Sequence, residues 1–192
     1  MSVATVDHLS FAEFLALESE AETKHEYVRG QRFAMAGTTV AHNRVSRNLL
    51  VALSQRLAGG PCEPFVADVL LRIEDADVAY YPDLFVVCGE PTGDDERVVS
   101  DATLVVEVLS VSTESHDRGD KLKNYLRLAS LVEYVLVDSR ARSVEIYRRG
   151  PAGWSYLALS GDDPIVLESV DLVTSFDALY ANVQLDEAVS PG

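Results

Sequence analysis

Leu104-Val105-Val106-Glu107-Val108-Leu109-Ser110 is an apolar run with one acid at its centre. Its length and branched residues read as a buried strand, and an ionised carboxylate buried there is costly unless it is paired, neutralised or bound to a cation. A second such run stands upstream, Tyr81-Pro82-Asp83-Leu84-Phe85-Val86-Val87, with its acid at the strand entrance. If the two strands are neighbours, Asp83 and Glu107 converge at one end of a sheet, where a shared cation would relieve both. Lys121 follows Glu107, and Glu26 lies far upstream.

Around this pair the chain alternates helical and extended patterns. Ser10-Phe11-Ala12-Glu13 has the form of a capping box opening a helix that should end near Glu22. His25–Val28 and Arg32–Ala36 flank Arg29-Gly30-Gln31 as a hairpin, which puts Glu26 on a strand. Val45, Leu49, Leu53 and Leu57 recur at helical spacing from Val40 until Gly59-Gly60-Pro61 stops the run. Strands are expected at Phe65–Ile73, Asp83–Cys88 and Leu104–Leu109, with Asp94-Asp95-Glu96 in an exposed loop. A helix should open at Asp117 and run through Lys121, Leu122 and Tyr125 to Ala129. Glu133–Val137 reads as another strand, Val144–Tyr147 and Trp154–Leu159 as a hairpin, and Ser175–Val183 as a closing helix. The pattern is α/β, a mixed central sheet flanked by helices.

The 192 residues suffice for a single domain spanning 1–192, with a core over about 8–184 and a short flexible C-terminal tail. No apolar stretch approaches the roughly 20 residues that cross a bilayer, and the start lacks the layout of a signal peptide, so no membrane association and a cytoplasmic location are expected. Cys62 and Cys88 lack metal-ligand spacing and are expected as free thiols. The net charge of -15 opposes casual nucleic-acid binding. Its distribution matters more: residues 60–109 hold 12 acids against 2 bases, whereas 110–150 hold 6 against 8 and can face a polyanion.

Each candidate has an ordinary reading. Asp83 can terminate a strand, Glu107 can lie on an exposed alternating face, Glu26 can be a surface residue, and Asp117 with Lys121 can be a plain i,i+4 helix pair. His42, followed by Asn43, suits packing or hydrogen bonding at a helix start better than catalysis. No P-loop, dinucleotide fingerprint or Gly-x-Ser-x-Gly elbow is present.

Taken in order, the motifs tell more than they do singly. His25-Glu26-Tyr27 with Gly30, Met35-Ala36-Gly37, His42-Asn43, Pro82-Asp83, Glu107-Val108-Leu109-Ser110, Asp117-Arg118-Gly119-Asp120-Lys121-Leu122 with Tyr125, and Glu133-Tyr134 recur along most of the chain. Together they resemble the restriction-endonuclease-like PD-(D/E)xK superfamily, and within it the Uma-two branch. The resemblance implies a sheet core flanked by helices, with Asp83 and Glu107 as metal ligands, Lys121 as catalytic lysine, and Glu26 as helper and additional ligand. It further implies Mg²⁺, with Mn²⁺ as a substitute, and hydrolysis of DNA phosphodiester bonds by metal-activated water.

The chain departs from that pattern where the usual lysine position, two residues after the second acid, is Leu109. The lysine role therefore falls to Lys121 on the next helix, with Lys123 in reserve about 200° around it. Val111 and Ser130-Leu131-Val132 also replace the branch's usual proline and Gly-Val-Pro turn. The alternative from another class is a non-catalytic binding or assembly module that keeps the nuclease fold; either form is expected as a homodimer.

Overall fold

The computed structural model describes residues 8–93 and 95–185. Asp94 of the acidic loop and the C-terminal tail from residue 186 onward, expected to be flexible, lie outside the described residues. The strands, in chain order, are β1 His25–Val28, β2 Gln31–Ala34, β3 Cys62–Val66, β4 Leu70–Ile73, β5 Val78–Tyr80, β6 Leu84–Cys88, β7 Val98–Val99, β8 Leu104–Leu109, β9 Glu133–Asp138, β10 Ser143–Gly150, β11 Gly153–Ser160, β12 Ile165–Leu167 and β13 Leu172–Thr174. A six-stranded sheet runs β11-β10-β9-β8-β6-β3, a five-stranded sheet runs β2-β1-β5-β4-β7, and β12 pairs with β13. In the larger sheet β8 and β9 are parallel while β6 lies antiparallel to β8.

Helix α1, Phe11–Glu18, opens on the capping box of Ser10 and Glu13 and stops one turn short of the expected Glu22. Helix α2, Val40–Leu57, has the bounds its apolar spacing indicates; the Thr39 side chain caps it by accepting from the His42 N–H. Val45, Leu49 and Leu53 seat α2 on one face of β8 against Leu104, Val106 and Val108. The other face of β8, carrying Val105 and Leu109, packs in a second core with Tyr80, Tyr125 and Tyr134. Glu107 lies between Val105 and Leu109 in a strand whose side chains alternate, and so points into this second core.

Beyond β8 the chain makes α3 (Glu114–His116), a π-helical stretch (Asp117–Lys121) and α4 (Leu122–Tyr125) without interruption. The helix therefore opens before Asp117 and ends before Ala129, and its wide turn holds the sequence Asp-Arg-Gly-Asp-Lys. Wide turns of this kind occur mostly as isolated insertions in helices, often at functional sites.

Several expectations are corrected. The run Phe65–Ile73 is two strands in different sheets, β3 and β4, because the chain turns at Ala67-Asp68, where the Asp68 N–H donates to the Val66 carbonyl. The short β5 follows Asp77, whose left-handed φ of 52° sets the bend after a 3-10 turn. Arg29 and Gly30, with φ of 48° and 80°, make the two-residue turn between β1 and β2, so β2 starts at Gln31 rather than Arg32. A side chain at Gly30 would lie 2.6 Å from the His8 ring. The closing helix is only α5, Phe176–Leu179, capped by Ser175. Cys62 and Cys88 are not free thiols. They face each other across the antiparallel pair β3 and β6 and form a disulfide with an S–S distance of 2.06 Å, a register that spacing along the chain does not reveal.

Candidate functional site

The pairing of β6 with β8 sets Asp83, at the entrance of β6, beside Glu107. The two are joined reciprocally: the Asp83 N–H donates to Glu107 Oε2 at 3.2 Å, and the Val108 N–H donates to Asp83 Oδ2 at 2.7 Å. His42, at the first turn of α2 on the same stripe as Val45 and Leu49, places Nε2 3.1 Å from Asp83 Oδ2. Among the described residues Asp83 Oδ1 accepts no hydrogen bond, and it belongs to a half-buried side chain. His42 thus does what a histidine at a helix start was expected to do, hydrogen bonding, but to a candidate ligand. His42 Nδ1 is buried and has no hydrogen-bond partner among the described residues.

On the other side of Glu107 stands Lys121, buried at 6% exposure. Its ammonium lies 2.7 Å from Glu26 Oε1, 3.1 Å from Glu107 Oε1 and 3.6 Å from Asp117 Oδ1. The Glu26 contact is an ion pair without the alignment of a hydrogen bond. Lys123, two residues on, reaches outward to Asp120 and is exposed. The Tyr125 hydroxyl donates to Glu107 Oε1 at 2.9 Å, and the Tyr80 ring lies under the ammonium at 5.3 Å. The structure therefore brings Glu26, Asp83, Glu107 and Lys121 around one centre, with Glu26 on the lysine side and Asp83 on the opposite side of Glu107.

Four carboxylates, Glu26, Asp83, Glu107 and Asp117, have one ammonium among them, with the His42 imidazole beside Asp83 and the His116 imidazole 3.9 Å from Glu26. Burial pushes the Glu107 carboxyl up to about 8; Lys121 opposes the shift, while Asp117, Asp83 and Glu26 reinforce it. For Lys121 burial works against the charge, but Glu107, Glu26 and Asp117 more than offset it, so its pKa is raised and it remains an ammonium. Burial raises Tyr125 well above its ordinary range, which keeps its hydroxyl a donor. The site is short of positive charge.

Among the described residues no group of three or more His, Cys, Asp or Glu side chains is close enough to enclose a metal ion. Mg²⁺ does not need such a cage: it takes one or two carboxylates and keeps waters or substrate oxygens in its other positions. Asp83 and Glu107 meet that requirement with oxygen donors, and the excess of carboxylates over ammonium is what a divalent cation would compensate. Lys121 stands where Glu26, Glu107 and Asp117 meet, which leaves the Asp83 side of Glu107 for an ion.

The order of acids and lysine was legible in the sequence, whereas Asp117, Tyr125 and His42 were not singled out as members. All three stood within the motifs of the resemblance, but Asp117 had only its i,i+4 spacing to Lys121, common to many surface helices, and His42 and Tyr125 had no partner fixed by the sequence.

The model of the Uma2 family, described as "Putative restriction endonuclease", matches residues 11–184. The chain belongs to the Uma2 family. Two uncharacterized proteins of Synechocystis sp., slr1290 and sll1609, are each 34% identical to it, over 90% of this chain and 91% of the first, and over 85% of this chain and 94% of the second. The crystal structure of "a putative nuclease belonging to DUF820" from Anabaena variabilis superposes with a TM-score of 0.75 at 16% identity, covering 90% of this chain and 97% of that one. That likeness carries the fold: mixed sheets flanked by helices in the restriction-endonuclease-like arrangement.

Proposed function

We propose that this Uma2-family chain is a Mg²⁺-dependent endonuclease that hydrolyses DNA phosphodiester bonds, with Asp83 and Glu107 holding the ion. The observation that carries the reading is Glu107 itself, an acid buried in an apolar strand, flanked by Asp83 on one side and the Lys121 ammonium on the other. When bound, the ion supplies Lewis acidity toward the phosphoryl group and lowers the pKa of water it holds. The remaining work belongs to the chain's own side chains. Lys121, held as a cation beside Glu107, would stabilise negative charge growing on the phosphoryl oxygens or orient the attacking water. Glu26 and Asp117 keep that ammonium in position. Tyr125 fixes one oxygen of Glu107, and His42 fixes one oxygen of Asp83, leaving Oδ1 of Asp83 for the ion.

The test is cleavage of labelled single- and double-stranded DNA with Mg²⁺ or Mn²⁺ at low salt, comparing the wild type with Asp83→Ala, Glu107→Ala and Lys121→Ala, each checked for folding. Metal-dependent cleavage by the wild type and its loss in all three variants is the expected outcome. Cleavage that survives Asp83→Ala or Glu107→Ala would move the chemistry elsewhere. The net charge of -15 favours a second reading, a non-catalytic module of the same fold. Its signature is no cleavage of any substrate together with no cation binding.

A further inference from the structure

A cleft of about 510 Å³ lies between the β1–β2 hairpin and the wide helical turn, with Glu26 and Lys121 among its lining residues. Whatever fills it lies against the candidate site. We infer that this cleft takes one unpaired nucleobase of the strand being cut, so that the substrate is single-stranded or locally melted nucleic acid. The inference rests on the nuclease reading for the strand it names, but not for the binding it describes.

Three observations carry it. The first is size. The volume of about 510 Å³ falls within the roughly 300–1,000 Å³ of sites for small organic molecules, room for a nucleotide but not for a duplex. The second is the hairpin wall, where Phe33 on β2 is 48% exposed and lines the cleft beside Met35. An aromatic ring left open to solvent in a concave apolar wall is a platform on which a base of any sequence can stack.

The third observation is charge. The cleft is lined by Glu26, Asp117 and Asp120 against Arg29, His116 and Lys121, and Lys121 is already held by Glu26, Glu107 and Asp117, so the acids oppose a phosphate seated in the cleft but not a neutral base. Two arginines are already engaged and not free for a duplex backbone: Arg118 with Glu114 and Glu145, and Arg140 with Glu114 and Asp138. Arg29, at the tip of the hairpin, makes no ion pair among the described residues and lines the same cleft, where it can meet the phosphate of the nucleotide whose base is inside. The acids lining the cleft and the net charge of -15 weaken what phosphate contacts can supply there, so stacking carries more of the affinity.

The experiment is binding of the full chain, in chelator so that nothing is cut, to an end-labelled oligonucleotide carrying one 2-aminopurine, presented as a single strand and as a perfect duplex. Anisotropy gives affinity, and 2-aminopurine fluorescence reports the stacking of the base. The single strand should bind at least tenfold more tightly than the duplex and change the 2-aminopurine signal. Phe33→Ala should lose about tenfold or more, as removal of a stacking platform does, and Phe33→Trp should retain binding. Equal affinity for both forms, or Phe33→Ala indistinguishable from wild type, overturns the inference. Cleavage of duplex DNA undiminished by Phe33→Ala would overturn it while leaving the nuclease reading intact. Phe33-dependent binding of single strands by a chain that cuts nothing in Mg²⁺ would uphold the cleft and overturn the nuclease reading alone.

Discussion

Glu107 and Glu133 are both buried acids on adjacent parallel strands, three pairs apart in one ladder in which Leu104 pairs with Glu133 and Glu107 with Leu136. Glu133 is fully satisfied. Its carboxylate takes the Arg148 guanidinium at 2.7 Å, the backbone N–H groups of Glu168 and Ser169, and the Ser169 hydroxyl at 2.5 Å. Glu107 receives the Lys121 ammonium, the Tyr125 hydroxyl and the Asp83 N–H, but shares that single ammonium with Glu26 and Asp117. One acid shares its guanidinium only with the exposed Glu168 and has a complete set of donors; the other shares its ammonium with two further buried acids. The first arrangement closes a fold, and the second leaves a demand that a ligand can meet.

The largest expected consequence falls on the satisfied acid. Glu133→Ala leaves Arg148 with only the exposed Glu168 and the Val166 carbonyl, strands the Ser169 donors, and should cost about 3–5 kcal/mol in chemical denaturation, with no dependence on Mn²⁺. A tolerated Glu133→Ala would erase the distinction between the two clusters.

The next effect is of pH, and its sign separates the clusters. Glu107 has a folded-state pKa raised to about 8 from 4.5, so the folded chain binds more protons than the unfolded chain between those values. Stability in chelator therefore falls as pH rises from about 4.5 to about 8, where Glu107 is forced to ionise among other acids. Denaturation at a series of pH values should show this slope in the wild type and a flatter one in Glu107→Gln. A rise in stability across the same window would mean that Glu107 is compensated after all.

A smaller effect sharpens the role of His42. His42→Ala releases the Asp83 carboxylate and should weaken Mn²⁺ affinity about tenfold to a hundredfold, the usual cost of losing a group that orients a ligand. His42→Gln, which keeps a donor near the Nε2 position, should retain most of the affinity, as calorimetry can show. The smallest effect is expected at Lys123, whose exposed pairing with Asp120 leads away from the site. Lys123→Ala should leave stability and cleavage unchanged while Lys121→Ala abolishes cleavage, and the reverse would exchange their roles.

How far the sequence could be read follows from the range of the interactions involved. Helix α2 was legible because its stripe and its stop are local, and Glu107 because the acid contradicts its own strand. The break of Phe65–Ile73 into β3 and β4 was not, because both halves are apolar and only the partner strands differ. The Cys62–Cys88 disulfide depends on strand register, which spacing does not encode. In the same way Asp117 looked like any helix acid until the wide turn buried it at 2% exposure beside Lys121. His42 joined the site only because α2 and β6 meet at the same sheet end.

The most direct measurement is the unfolding free energy of Glu107→Gln against the wild type at pH 8, in chelator and again with saturating Mn²⁺. If Glu107 is the acid left without its own cation, the variant is more stable than the wild type in chelator by on the order of 1–2 kcal/mol, the usual gain when a functional site is relieved. Mn²⁺ then stabilises the wild type and leaves the variant unchanged. A variant that is less stable than the wild type in chelator, with Mn²⁺ affecting neither, would contradict that assignment and make Glu107 a structural acid like Glu133.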